Sequence, residues 1–250
     1  MLKRIILLLI VLCTACNTKN DTTITIATAA NMQFAMKALT EAFTLQSGIK
    51  CELVVSSSGK LTAQIKEGAP YDIFVAANMK YPNEVYNSGF AEAPPEIYAY
   101  GKLVLWTNIE NITPLPEYLT DASVKHIALA NHTTAPYGTA AIEVLKSKKL
   151  LDTIEEKLVY GESVSQVNQF ITSKSAEVGF TALSVVLSRE LENKGKWTEI
   201  DQGLYRPIAQ GIVLLKSKEE KKINSKAFYT FLFSDEAKLI LKNFGYSVNE

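Results

Sequence analysis

The residues best placed to do chemistry sit where β-branched, apolar runs give way at once to small hydroxyl and amide side chains. Val54-Val55-Ser56-Ser57-Ser58-Gly59-Lys60-Leu61 is the clearest case. It reads as a strand, a tight turn and the start of a helix. The first backbone N–H groups of a helix have no carbonyl partner, and its N-terminus carries roughly half a positive charge, so such a junction suits an anion. An ordinary helix cap is the plainer reading of one junction alone. Three more resemble it: Ile26-Ala27-Thr28-Ala29-Ala30-Asn31 with Asn31 as the expected cap, Leu129-Ala130-Asn131 followed by Ala135-Pro136-Tyr137-Gly138, and Val159-Tyr160-Gly161-Glu162-Ser163-Val164. Recurrence favours a compact anion whose oxygens point several ways.

Other chemistries lack their residues. A phosphate-binding loop around Gly59-Lys60 needs Gly where Val54 stands and a hydroxyl where Leu61 stands. A serine hydrolase built on Ser58 needs a Gly-x-Ser-x-Gly elbow and a partner histidine, and no elbow occurs. His126 and His132, the two histidines, fall six residues apart in a strand and a loop and make no metal pair, and the carboxylates are scattered. Binding without turnover fits this inventory. Lys60, in the first turn of its helix, is expected to face solvent, and Asp72 to orient a neighbouring loop.

The elements that must position these turns alternate. Strands at Thr23–Ala27, Cys51–Val55 and Tyr71–Ala76 are separated by helices over about 32–46 and 60–67, the first carrying Met32, Met36, Leu39 and Phe43 on one stripe. This alternation implies a parallel sheet with crossover helices. A second set of strands and helices runs from Thr107 to about Tyr205, and the apolar runs Leu103–Trp106 and Pro207–Leu215 cross between the two sets. Two crossings make a cleft and a hinge. The division expected is 23–101 with 212–250 as the first lobe and 102–211, crossing strands included, as the second. The C-terminal helices, with Phe228, Phe231, Leu232 and then Ala237, Ile240, Leu241 and Phe244 on their faces and Ser234 as a cap, return to the first lobe.

Composition agrees. At 250 residues and 47% hydrophobic, the chain can bury two moderate cores. A formal net charge of +0 argues against nucleic acid as a partner. Residues 1–15 read as a leader: Lys3 and Arg4 precede an apolar run, Ile5 to Cys13, far shorter than the ~20 residues of a membrane span. The run ends in Leu12-Cys13-Thr14-Ala15-Cys16, which resembles a bacterial lipoprotein cleavage box with Cys13 in place of its usual Leu. Cys16 is then the lipidated first residue, 16–22 a polar tether, and Cys51 a lone packed thiol with no disulfide partner.

Taken in order, Ile26 to Asn31, Ser56-Ser57-Ser58-Gly59 with Gly68-Ala69-Pro70-Tyr71-Asp72-Ile73-Phe74, Gly101 to Trp106, Ala135-Pro136-Tyr137-Gly138 and Val178 to Leu183 resemble the substrate-binding proteins of bacterial molybdate ABC transporters. The resemblance spans residue 23 to the C-terminus. It implies an α/β, two-lobed periplasmic-binding-protein fold of type II, each lobe a mixed sheet flanked by helices, with molybdate or tungstate held in the cleft and delivered to a permease. It implies no enzyme, no cofactor and no free metal-cation site, and a monomeric receptor lipid-anchored on the periplasmic side of a bacterial membrane. Ligand positions fall on Ala30, Asn31, Ser58, Tyr137 and Val164, with Asn31 and Ser58 acting through side chains as well as N–H groups. Some members carry Ser where Asn31 stands, Ala where Tyr137 stands and a ligand-contacting Tyr where Ala182 stands. A sulfate or phosphate receptor, or an exported hydrolase using Ser58, is the alternative.

Overall fold

The computed structural model describes residues 23–217 and 219–248. The leader, Cys16 and the tether lie outside the described residues. From the N-terminal side, β1 (Ile24–Ala29) runs through a 3-10 turn at Ala30–Met32 into α1 (Gln33–Ser47), followed by β2 (Cys51–Ser56), α2 (Ser58–Lys66), β3 (Ile73–Ala76), α3 (Lys80–Asn87) and β4 (Glu96–Gly101). Gly48, at φ 72°, stops α1 by taking the left-handed conformation that a glycine adopts without steric cost. Lys102 alone separates β4 from β5 (Leu103–Thr107), which opens a second set: β6 (Ile127–Ala130), α4 (Pro136–Ser147), α5 (Leu151–Ile154), β7 (Leu158–Gly161), α6 (Val164–Thr172), β8 (Val178–Ala182), α7 (Leu183–Val186) and β9 (Lys196–Glu199). The chain returns through β10 (Ile208–Leu214) and ends in α8 (Glu219–Leu232) and α9 (Asp235–Asn243).

The strands form two five-stranded sheets of matching plan, β2-β1-β3-β10-β4 and β7-β6-β8-β5-β9. In each, three parallel strands joined by crossover helices are extended by a fourth strand paired antiparallel to them and a fifth paired antiparallel to the fourth. The two-lobed, mixed-sheet architecture implied by the resemblance is the one observed. One boundary differs. Residues 208–214 form a single strand paired with β3 and β4 in the first sheet, so a division at 211 cuts through it. Its apolar run looks uniform along the chain, and only its partners show which sheet it joins. A bulge between Gln210 and Gly211 bends this strand beside the crossing.

Each lobe has its own core. Met32, closing the 3-10 turn, and Met36, Leu39 and Phe43 of α1 pack with β1, β3 and the C-terminal helices, where the Phe43 and Phe228 rings meet edge to face at 5.2 Å. Trp106 and Phe180 anchor the second lobe. Asp72, 2% exposed, braces the start of β1: its Oδ2 accepts from Thr25 N (2.7 Å) and lies 3.4 Å from Lys221 Nζ.

In both sheets the parallel strands end towards the same cleft. Ligands of open α/β sheets sit beyond such carboxyl ends, where the winding reverses.

Candidate functional site

Ala30, Asn31, Ser58, Tyr137 and Val164, drawn from both lobes, line one closed pocket. None is more than 3% exposed. The centre of a water-sized sphere has about 10 Å³ in which to move there, room for about one water, so an organic phosphate is too large for the space between these residues.

Four turns deliver these residues. The cap positions Ala29, Ala135 and Ser163 make no side-chain cap bond, so the first N–H groups of the 3-10 turn, α4 and α6 are left for another acceptor. Pro136 opens α4 with its preset φ and has no N–H, which makes Tyr137 the first residue of that helix to offer one. Only the α2 start is capped, by Ser57 Oγ accepting from Lys60 N at 3.4 Å. Ser57 also lines the pocket, a contact the sequence reading missed although Ser57 sits in the same triple of serines. Ser58 Oγ accepts from Ala77 N (3.0 Å) at the end of β3, which fixes the hydroxyl and leaves its proton to donate.

Asn31 departs from expectation in two ways. It lies inside the 3-10 turn and caps nothing, because Ala29 occupies the cap position with extended backbone. Its side-chain amide is already engaged: both Nδ2 hydrogens are committed, to Gln210 Oε1 (2.9 Å) and Tyr246 Oη (3.0 Å). What it can offer an anion is therefore its backbone N–H alone.

Among the described residues, no Asp, Glu, Lys, Arg or His lines the pocket. Lys60, expected in solvent, reaches across the cleft rim to Glu162 Oε2 at 2.5 Å, and Ala182, at the end of β8, is buried outside the lining. His126 lies 3.5 Å from Glu177, and His132 sits beside the Tyr160 ring, both away from the pocket. Ser58 thus has no base beside it. Burial holds the Tyr137 phenol well above its ordinary pKa and pushes Tyr246 up to about 12, so both remain donors across neutral pH. Three further bonds join the lobes around the rim: Gly59 N to Thr134 O (2.9 Å), Tyr81 Oη to Thr133 O (2.9 Å) and Ser165 Oγ to Gln33 Oε1 (2.8 Å). The lobes are closed over the pocket.

Comparison with known families places this geometry. The model of the bacterial extracellular solute-binding proteins matches residues 24–247. The chain belongs to that family. Within these solute-binding proteins it is 36% identical, over 221 residues, to the molybdate-binding protein ModA of Rhodobacter capsulatus, covering 88% of this chain and 86% of the relative. It is 33% identical to ModA of Azotobacter vinelandii over 231 residues, covering 89% of each. The solved structure of the Azotobacter vinelandii periplasmic molybdate-binding protein superposes with a TM-score of 0.86 at 32% identity, across 91% of this chain and all of that one.

Proposed function

We propose that this solute-binding protein captures molybdate or tungstate between its lobes and hands it to an ABC permease. The observation that carries the reading is the convergence of four helix starts, two from each lobe, on one small pocket with no charged side chain in its lining. A dianion buried without compensation is expensive. Hydrogen bonds to a charged acceptor return about 1.5–3 kcal/mol each, and each helix start adds roughly 0.3–1 kcal/mol. Neutral donors can therefore hold the ion. The N–H groups of Ala30, Asn31, Tyr137 and Val164 and the Ser58 hydroxyl are the ligands in this reading, and the relatives' names favour molybdate over sulfate or phosphate.

Calorimetry against a panel of oxyanions tests it. Molybdate at 100 times its dissociation constant should raise the unfolding free energy by about 2.7 kcal/mol. No heat and no thermal shift with molybdate or tungstate would remove the reading, and a response to sulfate or phosphate alone would redirect it. The same proposal includes export and lipid attachment at Cys16. Palmitate labelling of expressing cells should be lost in Cys16→Ala.

A further inference from the structure

Behind the pocket, on the hinge side, six polar side chains at most 5% exposed form one hydrogen-bonded group. Asn31 Nδ2 donates to Gln210 and Tyr246 as described. Tyr98 Oη donates to the same Gln210 Oε1 (2.9 Å), and Gln210 Nε2 points at Tyr137 Oη across 3.5 Å. Tyr246 Oη lies 2.9 Å from Ser184 Oγ, which donates to the Asn31 carbonyl at 2.8 Å. The group draws on every part of the molecule that meets at the hinge. Asn31 comes from the first turn of the pocket, Tyr98 and Gln210 from the strands next to the crossings, Tyr246 from the C-terminal segment, and Tyr137 and Ser184 from the second lobe.

Two features single out Gln210 and Tyr246. Each holds one Nδ2 hydrogen of Asn31, so together they fix the residue whose N–H faces the pocket. Each also touches the second lobe, Gln210 through Tyr137 and Tyr246 through Ser184. Gln210 stands at the β10 bulge, a place where a strand re-aims its side chains. The group is neutral and buried, so a partner lost from it leaves an orphaned polar atom with no water to replace it.

We propose that Gln210 and Tyr246 are positioning residues that hold the Asn31 turn ready for the anion and tie it to Tyr137 and Ser184, so that capture and closure are one event. The inference rests on the reading of the pocket as an oxyanion site. The test uses the whole chain, with molybdate as the probe, in the variants Gln210→Leu and Tyr246→Phe. The control is Tyr229→Phe, which removes a hydroxyl bonded to exposed Glu96 on the first lobe. Calorimetry gives the affinity, stopped-flow the dissociation rate, and small-angle scattering the compaction on adding molybdate. Both variants should bind at least tenfold more weakly, release molybdate faster and compact less, while the control matches wild type. A purely structural role would lower the melting temperature and leave the compaction of the folded protein unchanged. Variants that bind and compact like wild type overturn the inference alone. A wild-type protein that binds no tetrahedral oxyanion overturns the functional reading and this inference with it. Should Gln210→Leu fail to fold, Tyr246→Phe, one oxygen smaller, decides.

Discussion

Ser58 shows how one side chain serves the fold and the ligand at once. Its oxygen accepts from Ala77 N, and its proton is free for the anion. Ser58→Ala should weaken molybdate binding by about 1–3 kcal/mol, the worth of one hydrogen bond to a charged group, as read by calorimetry. It should also lower the melting temperature, because the buried Ala77 N–H loses its acceptor. An unchanged affinity would take Ser58 out of the site. Cys51 is the opposite case, a residue with reactive chemistry held inert. Burial raises its thiol from 9.0 to about 11, against a weaker opposing effect of its hydrogen bond with Thr44. The folded state therefore favours the protonated thiol, so its contribution to stability is intact below pH 9 and is lost as pH rises towards 11. In protein lacking Cys13 and Cys16, iodoacetamide at pH 8 should label Cys51 about a hundredfold more slowly than an ordinary thiol, since only the thiolate reacts. Denaturant should restore the rate.

At the level of elements, the pocket was legible because helix starts announce themselves locally. A strand ending in small residues before an amphipathic stripe is a pattern within a dozen positions, and all four turns lie where that pattern puts them. What the sequence could not show depended on distant partners. Asn31 looks like a cap until it is seen that its amide bonds lie 179 and 215 residues away. Gln210 is a polar residue inside an apolar strand and Tyr246 follows Gly245, and nothing local marks either as a partner of Asn31. The lobe to which Ile208–Leu214 belongs is likewise a matter of pairing and not of local pattern. Two glycines separate the work of an element within its lobe from its work between lobes. A Cβ at Gly138 would run into the Ala130 carbonyl, so the start of α4 could no longer pack on the end of β6. A Cβ at Gly59 would meet the backbone of Thr134 across the cleft at 3.0 Å. Gly138→Ala should therefore depress the melting temperature of the ligand-free protein. Gly59→Ala should leave that temperature nearly unchanged and weaken molybdate binding, because only the closed arrangement is crowded. Equal melting behaviour for the two variants would contradict this division.

For the molecule as a whole, the question is what would drive the lobes together around the proposed doubly charged guest when formal net charge is +0 and, among the described residues, no cation lines the pocket. The cationic group closest in sequence to a pocket turn, Lys60, has turned to Glu162 on the opposite lobe. Both partners are substantially exposed, at 42% and 69% of their side-chain surface, so the pair is screened by water and salt and is worth at most about 1 kcal/mol. Two roles for Lys60 make opposite forecasts. Were it attracting the anion directly, Lys60→Gln would weaken binding, while Glu162→Gln, by freeing the ammonium and removing a negative charge, would strengthen it. As a latch between lobes, either change removes the same contact, so both variants should weaken binding by the same amount. That loss should stay below about fivefold, shrink as salt is raised, and not deepen in the double variant. The geometry favours the latch. Calorimetry on the two single variants and the double variant at low and high salt separates the roles by sign, and a gain in affinity for Glu162→Gln would return Lys60 to the binding site.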